Sequence, residues 1–317
     1  MAAIAVDGLT KEYGEVVAND ALTFAVESGE IFGYLGPNGA GKTTTIRMLM
    51  GFQSPTAGGA TVLGRDVTDE AELIEAKRDI GYLPGHPSFD ESATGREFLD
   101  YQARLKGDQR REELLDLFTP PLDRPIREYS TGNKQMLGIV QAFMHDPELV
   151  IMDEPTSGLD PLKQAEFNAF VREQRDRGVT VFFSSHVLSE IQRVCDRVGI
   201  IREGSLVTLE DVRELVGRGG KRVALHVADA LDPADFDLPG VTDLTAFDDG
   251  VQFTFTGDYD ALVDLVANYD VADLTIDDPP LEDVFLRFYG DAEPAPDEGT
   301  ADSGDGADEP PPEEEAD

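Results

Sequence analysis

The stretch Gly36-Pro37-Asn38-Gly39-Ala40-Gly41-Lys42-Thr43-Thr44 is the strongest indication of the fold class of this chain. It fits the pattern G-x-x-x-x-G-K-[ST], in which glycines form a tight loop ahead of a helix. The apolar run Ile-Phe-Gly-Tyr-Leu at positions 31–35 predicts a buried strand before the loop. The spacing of apolar residues over 44–50 predicts a helix after it.

This strand, loop and helix predict a site for a nucleoside triphosphate. A glycine-rich loop that enters a helix directs successive backbone N–H groups and the positive helix end toward phosphates. The lysine reaches the terminal phosphates, and the hydroxyl of Thr43 reaches a magnesium ion. The alternative is a surface glycine turn that matches the pattern by chance, and the flanking strand and helix disfavour it.

A second apolar strand, predicted over 149–152, ends in two carboxylates, Asp153 and Glu154. Open α/β sheets bind ligands at the carboxyl ends of their strands, so we expect both side chains beside the phosphates. We predict that Asp153 holds magnesium through water and that Glu154 activates the water that attacks the terminal phosphate. The alternative is that the two acids cap a helix that begins after Pro155.

The run Tyr129-Ser130-Thr131-Gly132-Asn133-Lys134-Gln135 opens a predicted helix between these two motifs. Its serine, glycine and helix N-terminus predict a second anion site. With Ser157-Gly158-Leu159-Asp160 and Ser184-Ser185-His186, the motifs occur in an order and spacing that resemble the nucleotide-binding domain of an ABC transporter. The resemblance covers residues 2–217, and the Lys134-Gln135 variant is similar to the branch that serves ABC-2 type exporters.

The resemblance implies a shared site in which ATP lies between the phosphate loop of one subunit and the Ser130 and Gly132 turn of a second copy. Two chains must then meet head to tail to hydrolyse ATP. It also implies that Asp160 couples the two sites and that His186 contacts the γ-phosphate. For His186 the alternative is a satisfied buried histidine that follows a strand.

The resemblance also assigns roles to the other motif residues. The catalytic residues would be Lys42, Glu154 and His186, and magnesium would be held by Thr43 and Asp153. Tyr13 lies where such domains stack an aromatic ring on adenine, although an ordinary turn tyrosine is the alternative. The expected ATP contacts in the loop are Gly36, Pro37, Asn38, Gly39, Ala40, Gly41, Lys42, Thr43 and Thr44.

Two departures from the family pattern stand out. The turn reads Ser130-Thr131-Gly132-Asn133 instead of Ser-Gly-Gly-Gln, which keeps the two positions that face phosphate. Gly85 occupies the place of a glutamine that usually contacts magnesium or the attacking water and senses the membrane partner. Either a backbone group with water or His86 could replace that side chain, unless His86 is simply exposed. We expect hydrolysis to survive, because Glu154 and His186 remain.

The composition is strongly acidic, with 64 Asp and Glu against 26 Lys and Arg and a formal net charge of −38. No nucleic acid partner is expected, because a polyanion would be repelled by this charge. The lysine-poor, aspartate-rich surface predicts a halophilic protein from a high-salt cytoplasm, where salt screens dense charge.

The chain shows no sign of secretion or membrane insertion. Its one cysteine, Cys195, excludes an internal disulfide and is expected to be a small buried residue on a helix. The N-terminus lacks the basic and apolar regions of a signal peptide, and no run approaches 18 consecutive apolar residues. Any membrane role is therefore expected to come through a partner.

The predicted fold class is α/β: a P-loop NTPase domain of the ABC ATPase type over 1–217, with an antiparallel sheet in residues 1–30 and an inserted helical subdomain over about 86–146. Helices are predicted over 96–105, 110–118 and 161–177, with strands at 149–152 and 179–183. A glycine cluster at 217–220 predicts the boundary to a small α+β domain over 221–290. That domain has a predicted hairpin at 248–250 and an apolar segment at 281–288.

The last segment, 291–317, has 12 acidic residues and no Lys or Arg. It cannot bury enough apolar surface to offset chain entropy, so it is predicted to be a disordered tail.

The expected function is that of the ATP-binding and hydrolysing subunit of an ABC-2 type transporter. It would act at the inner face of the cell membrane through a separate permease. The resemblance to the exporter branch favours export as the direction of transport. The first alternative is a soluble ABC-type ATPase that acts on nucleic acid or ribosomes without a permease, which the charge and the single nucleotide domain disfavour. A binding or regulatory protein without ATPase chemistry is the second. The residues do not identify the transported substrate.

Overall fold

The structure is a computed structural model that describes residues 1–228 and 231–279. In these ranges the chain forms three β-sheets, and helices pack on them. In chain order the elements are β1 (Ala2–Tyr13), β2 (Val16–Glu27), β3 (Ile31–Leu35), α1 (Lys42–Leu49), β4 (Ala57–Val62), β5 (Arg65–Asp66), α2 (Glu70–Ala76), β6 (Ile80–Leu83), α3 (Gly95–Lys106), α4 (Arg111–Leu117), α5 (Thr131–Phe143), β7 (Leu149–Asp153), α6 (Pro161–Asp176), β8 (Thr180–Ser185), α7 (Leu188–Val194), β9 (Arg197–Arg202), β10 (Ser205–Asp211), α8 (Val212–Arg218), β11 (Lys221–Val227), β12 (Val241–Phe247), β13 (Gly250–Phe255), α9 (Tyr259–Val266) and β14 (Val271–Asp277).

The first sheet has the order β2-β1-β4-β5, and its neighbouring strands run antiparallel. The strands β1 and β2 are joined at Gly14, whose φ of 63° lies in the left-handed region that glycine adopts without strain. The sequence prediction of an antiparallel sheet in residues 1–30 is confirmed, and β4 and β5 extend that sheet.

The central sheet has six strands in the order β10-β9-β3-β8-β7-β6. All neighbours run parallel except β10, which pairs antiparallel with β9 at one edge. Every residue of β3, β7 and β8 is buried. Such strands read as continuous apolar runs because helices or another sheet cover both of their faces. The predicted strand-helix-strand unit is therefore confirmed as β7, α6 and β8.

A stack of aromatic rings fills the space between the first sheet and the central sheet. Phe182 of β8 lies 5.7 Å from Phe32 and 5.3 Å from Tyr34, measured between ring centroids. Phe24 of β2 stacks on Phe32 from the other sheet at 5.7 Å. Burial of each ring contributes about 2–3 kcal/mol, so this layer fixes the first sheet against the strand that leads into the phosphate loop.

The helices between β6 and β7 form the insertion. Thr94 caps α3 in a reciprocal capping box with Glu97, which satisfies two free N–H groups at the start of the helix. Pro120 and Pro121 follow α4 and break the helical run. The predicted helices at 96–105 and 110–118 agree with α3 and α4 to within one residue. Leu114, at 0% exposure, joins α4 to the core under the central sheet.

The C-terminal sheet is antiparallel, with the order β12-β13-β11-β14, and α9 packs on it. The predicted hairpin is confirmed, since β12 and β13 pair on either side of Asp248 and Asp249. The strand β14 was not predicted. The apolar segment 281–288 and the acidic tail 291–317 lie outside the described residues, and the domain limits drawn at 217 and 221 stay predictions.

Cys195 is buried, as predicted, although it lies just past the last residue of α7 rather than within a helix. Among the helices of residues 1–228 and 231–279, none has the length and apolar character needed to cross a membrane.

Candidate functional site

The phosphate loop connects β3 to α1, and its shape requires glycine at two positions. Gly41 has a φ of 105°, and a Cβ atom there would lie 2.4 Å from the carbonyl oxygen of Ala18. A Cβ atom at Gly36 would lie 2.4 Å from the carbonyl oxygen of Ile201. The first N–H groups of α1 have no acceptor within the helix, so the loop presents them as donors for an anion.

Lys42 lies within this loop and is 5% exposed. Its Nζ donates to the carbonyl oxygens of Gly36, at 2.6 Å, and Pro37, at 3.2 Å, and lies 3.8 Å from Oε1 of Glu154. Burial lowers the pKa of Lys42, and the carboxylates of Glu154 and Asp153 oppose that shift. The loop thus holds a largely desolvated ammonium group, whose attraction to phosphate is strengthened by the low local dielectric.

Thr43 and Asp153 lie together, as the sequence predicted. The Thr43 hydroxyl donates to Oδ2 of Asp153 at 2.9 Å, and the Ser184 hydroxyl donates to Oδ1 of the same carboxylate. Hydroxyl and carboxylate oxygens are hard ligands of the kind magnesium prefers, and the ion often takes its other ligands from phosphates and water. The two residues therefore fit a magnesium ion that a nucleotide brings with it.

Glu154 follows β7 with a φ of 49°, a left-handed conformation that is uncommon for residues other than glycine. Its N–H donates to the carbonyl oxygen of Ser184 at 3.0 Å. Its Oε1 lies 2.9 Å from Nδ1 of His186, whose side chain is 48% exposed. His186 is therefore not a buried histidine, and two of the three predicted catalytic side chains, Glu154 and His186, are in direct contact.

The alternative role of Asp153 and Glu154 as caps of the next helix is wrong. The next helix, α6, begins at Pro161, and the side chain that accepts from its first turn is that of Asp160. The Asp153 carboxylate is bound by Thr43 and Ser184, and that of Glu154 contacts Lys42 and His186. Both acids face the phosphate loop.

Lys42, Thr43, Asp153 and Glu154 border a cleft of about 640 Å³, a size typical of small-molecule sites, whereas His186 is not among the described residues that line it. His86 lines it beside Gly85. A Cβ atom at Gly85 would lie 3.5 Å from Oδ2 of Asp153, so a side chain at this position would face the carboxylate directly. The lining residues are Ala18, Pro37, Asn38, Gly39, Gly41, Lys42, Thr43, Thr44, Arg47, Tyr82, Pro84, Gly85, His86, Asp153 and Glu154.

Ser130, Gly132 and Asp160 are not among the residues that line this cleft in the described part of the chain. Ser130 caps α5, with its Oγ accepting from the N–H of Asn133 at 3.2 Å, and Asp160 caps α6. A Cβ atom at Gly132 would lie 2.8 Å from the carbonyl oxygen of Gly158, so the two turns pack on each other. Within one chain, the phosphate-loop residues therefore form one group. The turns of Gly132 and Gly158 form a second group.

Tyr13 is also absent from the cleft lining and lies at the end of β1. Its hydroxyl donates to Oε1 of Gln53 at 2.6 Å, and Nζ of Lys11 lies 5.3 Å from the centre of its ring. The ring is 46% exposed, so one side of it is open to solvent. Stacking on adenine stays a prediction for this residue.

The sequence reasoning gave no role to four residues that the structure places at or next to the site. Ser184 holds Asp153, and Tyr82 and Arg47 line the cleft. Burial raises the pKa of Tyr82, and the nearby Asp153 carboxylate adds to that shift. Glu190 accepts hydrogen bonds from Thr156, which follows Glu154 by two residues, and from Ser185, which precedes His186. Ser184 alone had a sequence signal, since it directly follows the strand predicted at 179–183.

The chain is similar to known proteins over most of its length. A family model described as ABC transporter matches residues 19–157. The bacitracin transport ATP-binding protein of Bacillus licheniformis is 35% identical over 297 residues, which cover 89% of this chain and 95% of that protein. The chain belongs to the family of ABC transporter ATP-binding proteins.

Two further comparisons agree with this assignment. The daunorubicin resistance ATP-binding protein of Streptomyces coeruleorubidus is 34% identical over 307 residues, covering 91% of this chain and 96% of that protein. A solved structure described as the ATP binding subunit of an ABC transporter has a TM-score of 0.61 at 30% identity, covering 68% of this chain and 92% of the other. The sequence-based resemblance and fold class are confirmed, and the chain is an ABC-family ATPase.

Proposed function

We propose that this ABC ATPase is the energising subunit of an ABC-2 type transporter and drives export through a separate permease. The observation that carries the proposal is the contact of Glu154 with His186, 2.9 Å apart, at the rim of a phosphate loop whose lysine and threonine are in place. This set of groups can bind a triphosphate and position a water molecule beside its last phosphorus atom.

The mechanism we propose relies on positioning and charge. Lys42 and the backbone N–H groups of residues 38–44 would neutralise charge that develops on the transferred phosphoryl group. Glu154 would orient the attacking water and accept its proton. His186 bonds Glu154 through Nδ1, and its Nε2 would contact the γ-phosphate. Thr43 and Asp153 would hold magnesium, which supplies further neutralisation of the phosphate oxygens.

The site would be completed by a second copy of the chain. The turns that carry Ser130, Gly132 and Asp160 pack together away from the cleft of their own chain. A head-to-tail dimer would place the Ser130 and Gly132 turn of one chain over the phosphate loop of the other, with Asp160 at the contact between the two sites.

A permease partner and an export direction are supported by the relatives. Their names refer to bacitracin transport and daunorubicin resistance, and both match this chain over most of its length. No membrane-spanning helix occurs in the described ranges, which fits a subunit that reaches the membrane by binding a permease at its inner face. The net charge of −38 supports work in a high-salt cytoplasm.

Gly85 leaves the usual glutamine contact to another group, and we propose that His86 takes part of that role. Its position in the cleft lining beside Gly85 supports this choice over simple exposure. The domain limits at 217 and 221 are proposed as the junction between the ATPase domain and the C-terminal domain, where α8 passes into β11.

The decisive experiment is Glu154→Gln in the full chain, assayed for magnesium-dependent phosphate release in molar KCl. Removing the base should lower turnover by about 10²–10⁴-fold while ATP binding persists, and an ATP-bound dimer should accumulate in gel filtration. Asp243→Asn is the matched control, because Asp243 is a carboxylate with the same left-handed backbone, at a φ of 54°, but lies on β12 of the C-terminal sheet and does not line the cleft. Unchanged turnover in Glu154→Gln would remove this residue from the base role.

A further inference from the structure

Glu190, in the first turn of α7, uses both of its carboxylate oxygens to hold other segments of the chain. Its Oε1 accepts from the Thr156 hydroxyl at 2.6 Å, and its Oε2 accepts from the Ser185 hydroxyl at 2.7 Å. Hydrogen bonds to an ionised acceptor are roughly twice as strong as neutral ones. One side chain thus joins the loop after β7 to Ser185, the last residue of β8 before the loop of His186.

These two loops carry the two groups that would act on ATP. Thr156 follows Glu154 by two residues, and Ser185 directly precedes His186. Both hydroxyl-bearing residues are buried, at 4% and 1% exposure, so water competes little for their bonds. Ser185 Oγ also accepts from the N–H of Val187 at 2.9 Å, which fixes the chain on the far side of His186.

Other side chains hold the loop after β7, but they bind only that loop. Nε2 of Gln135 donates to the carbonyl oxygen of Pro155 at 2.8 Å, and Nε2 of Gln164 donates to that of Leu159 at 3.2 Å. Neither reaches the segment of His186. Ser184 joins the ends of the two strands, since its hydroxyl donates to Asp153 and its carbonyl oxygen accepts from the N–H of Glu154. Glu190 adds a second bridge between the two segments, at Thr156 and Ser185.

A simpler role for Glu190 is to favour α7 as a negative charge at its N-terminus. That role needs no specific partner and would be met by a carboxylate directed into solvent. The two short bonds to buried hydroxyls point instead to a fixed orientation. A shift of 1 Å in a catalytic group can cost about 10²-fold in rate, so a bridge between two catalytic loops has a direct effect on turnover.

We infer that Glu190 is a positioning residue for ATP hydrolysis, which holds Glu154 and His186 in their reactive arrangement through Thr156 and Ser185. The inference rests on the proposed function, because it assumes that Glu154 and His186 act on ATP. It assigns Glu190 no contact with the nucleotide.

The test compares full-chain variants for kcat and for binding of a fluorescent ATP analogue. Glu190→Ala should lower kcat by about 10–100-fold while the Kd of the analogue stays within twofold. The pair Thr156→Val with Ser185→Ala should lower kcat by a similar factor, and adding Glu190→Ala to the pair should lower it no further, since all three remove one bridge. Glu190→Gln can still accept from one hydroxyl and donate to the other, so its kcat should lie between those of Glu190→Ala and the parent chain.

The matched control is Glu72→Ala. Glu72 lies on the equally short helix α2 and also joins two segments, since its Oε2 accepts from the N–H of Asp66 at 2.8 Å, but it is remote from the cleft. Its kcat should equal that of the parent chain. A kcat of Glu190→Ala within twofold of the parent, a loss of analogue affinity equal to the loss of kcat, or additive losses in the combined variant would each overturn the inference.

Glu154→Gln, measured in parallel, separates this inference from the proposed function. If Glu154→Gln is inactive and Glu190→Ala is fully active, only the inference fails. If the parent chain does not hydrolyse ATP, or if Glu154→Gln keeps its turnover, the proposed function fails and the inference fails with it.

Discussion

The central sheet and the C-terminal sheet bury similar side chains, yet only the central sheet gathers polar groups at one edge. Phe182 of the central sheet is 0% exposed and Phe253 of the C-terminal sheet is 1% exposed, so both cores exclude water at these points. In the central sheet the parallel strands β7 and β8 end side by side, which places Asp153 against Ser184. Antiparallel neighbours such as β11 and β13 end at opposite edges instead.

Strand direction, more than core composition, therefore determines where polar groups can gather into a site on a sheet. The C-terminal sheet does carry a polar pair, since Nδ1 of His226 lies 3.2 Å from Oδ2 of Asp249, but both side chains are exposed at the surface. Among the described residues, no third side chain forms a hydrogen bond with this pair, whereas the Ser184 hydroxyl donates to Asp153. Substitutions in the two sheets should therefore differ in their effect on ATP.

The largest expected effect comes from emptying each core in turn. Phe182→Ala and Phe253→Ala should each destabilise their own sheet by about 3–5 kcal/mol, because each leaves a ring-sized cavity. Phe182 also packs on Phe32 and Tyr34 of the strand before the phosphate loop, so its loss should weaken ATP binding as well. Thermal unfolding and titration with a fluorescent ATP analogue would measure both properties. Equal losses of ATP affinity in the two variants would contradict a specific role of Phe182 in supporting the strand before the phosphate loop.

Next in size is the removal of the buried ammonium group from the phosphate loop. Lys42→Ala should reduce kcat by about 10²–10³-fold, because it deletes a preorganised charge aimed at the phosphoryl group. Lys221 of the C-terminal sheet offers the contrasting substitution, and Lys221→Ala should leave kcat unchanged. Phosphate release in the two variants, at the same magnesium and salt concentrations, is the measurement.

A change in folded stability with pH is expected from His145, a buried histidine. Burial and the Lys106 cation lower the pKa of His145 to about 4, whereas Asp79 and Asp146 oppose that shift. Its ordinary value is 6.5, so between pH 6.5 and 4 the unfolded chain binds more protons and folded stability falls as pH falls. His145→Leu should therefore gain about 2 kcal/mol relative to the parent chain between pH 7.5 and pH 5.

Denaturant unfolding at the two pH values would measure this gain. Leu262→Ala, at a buried position of α9 on the C-terminal sheet, is the control, because it removes no titratable group, and its stability relative to the parent chain should be the same at the two pH values. A pH dependence of His145→Leu that matches that of the parent chain would rule out the buried histidine as its source.

The smallest effect belongs to the surface of the C-terminal sheet. Lys221 pairs with Asp278, and the two side chains are 38% and 53% exposed. Exposed pairs of this kind contribute about 0–1 kcal/mol, less in high salt. Lys221→Ala should therefore change the unfolding free energy by less than about 1 kcal/mol in molar KCl. A larger loss would mean that this pair joins the sheet to another part of the chain.

Much of the central sheet could be predicted from sequence because its signals are local. The strand predicted at 149–152 differs from β7 by one residue, and the helix predicted at 161–177 differs from α6 by one position. Both are bounded by turn residues and have clear apolar periods. By contrast, β14 was missed although residues 272–277, Ala-Asp-Leu-Thr-Ile-Asp, alternate between apolar and polar side chains. Every residue of this strand is exposed, and its pairing with the distant β11 contains a register shift.

The site divides in the same way. Lys42, Thr43 and Asp153 belong to contiguous motifs whose backbone geometry is set by neighbouring residues, and the structure brings them together. Glu190 gave no signal, because its role depends on how α7 is oriented against two loops that are 29 or more positions apart in sequence. No local pattern records such an orientation.

The left-handed backbone of Glu154 sets activity against stability. At a φ of 49° a glycine would be relaxed, whereas a residue with a Cβ atom is held there at a cost of about 1 kcal/mol or more. Selection for stability alone would therefore favour glycine at this position. Libraries screened only for heat resistance should enrich Glu154→Gly, and the hardiest chains they yield would be those that no longer consume ATP.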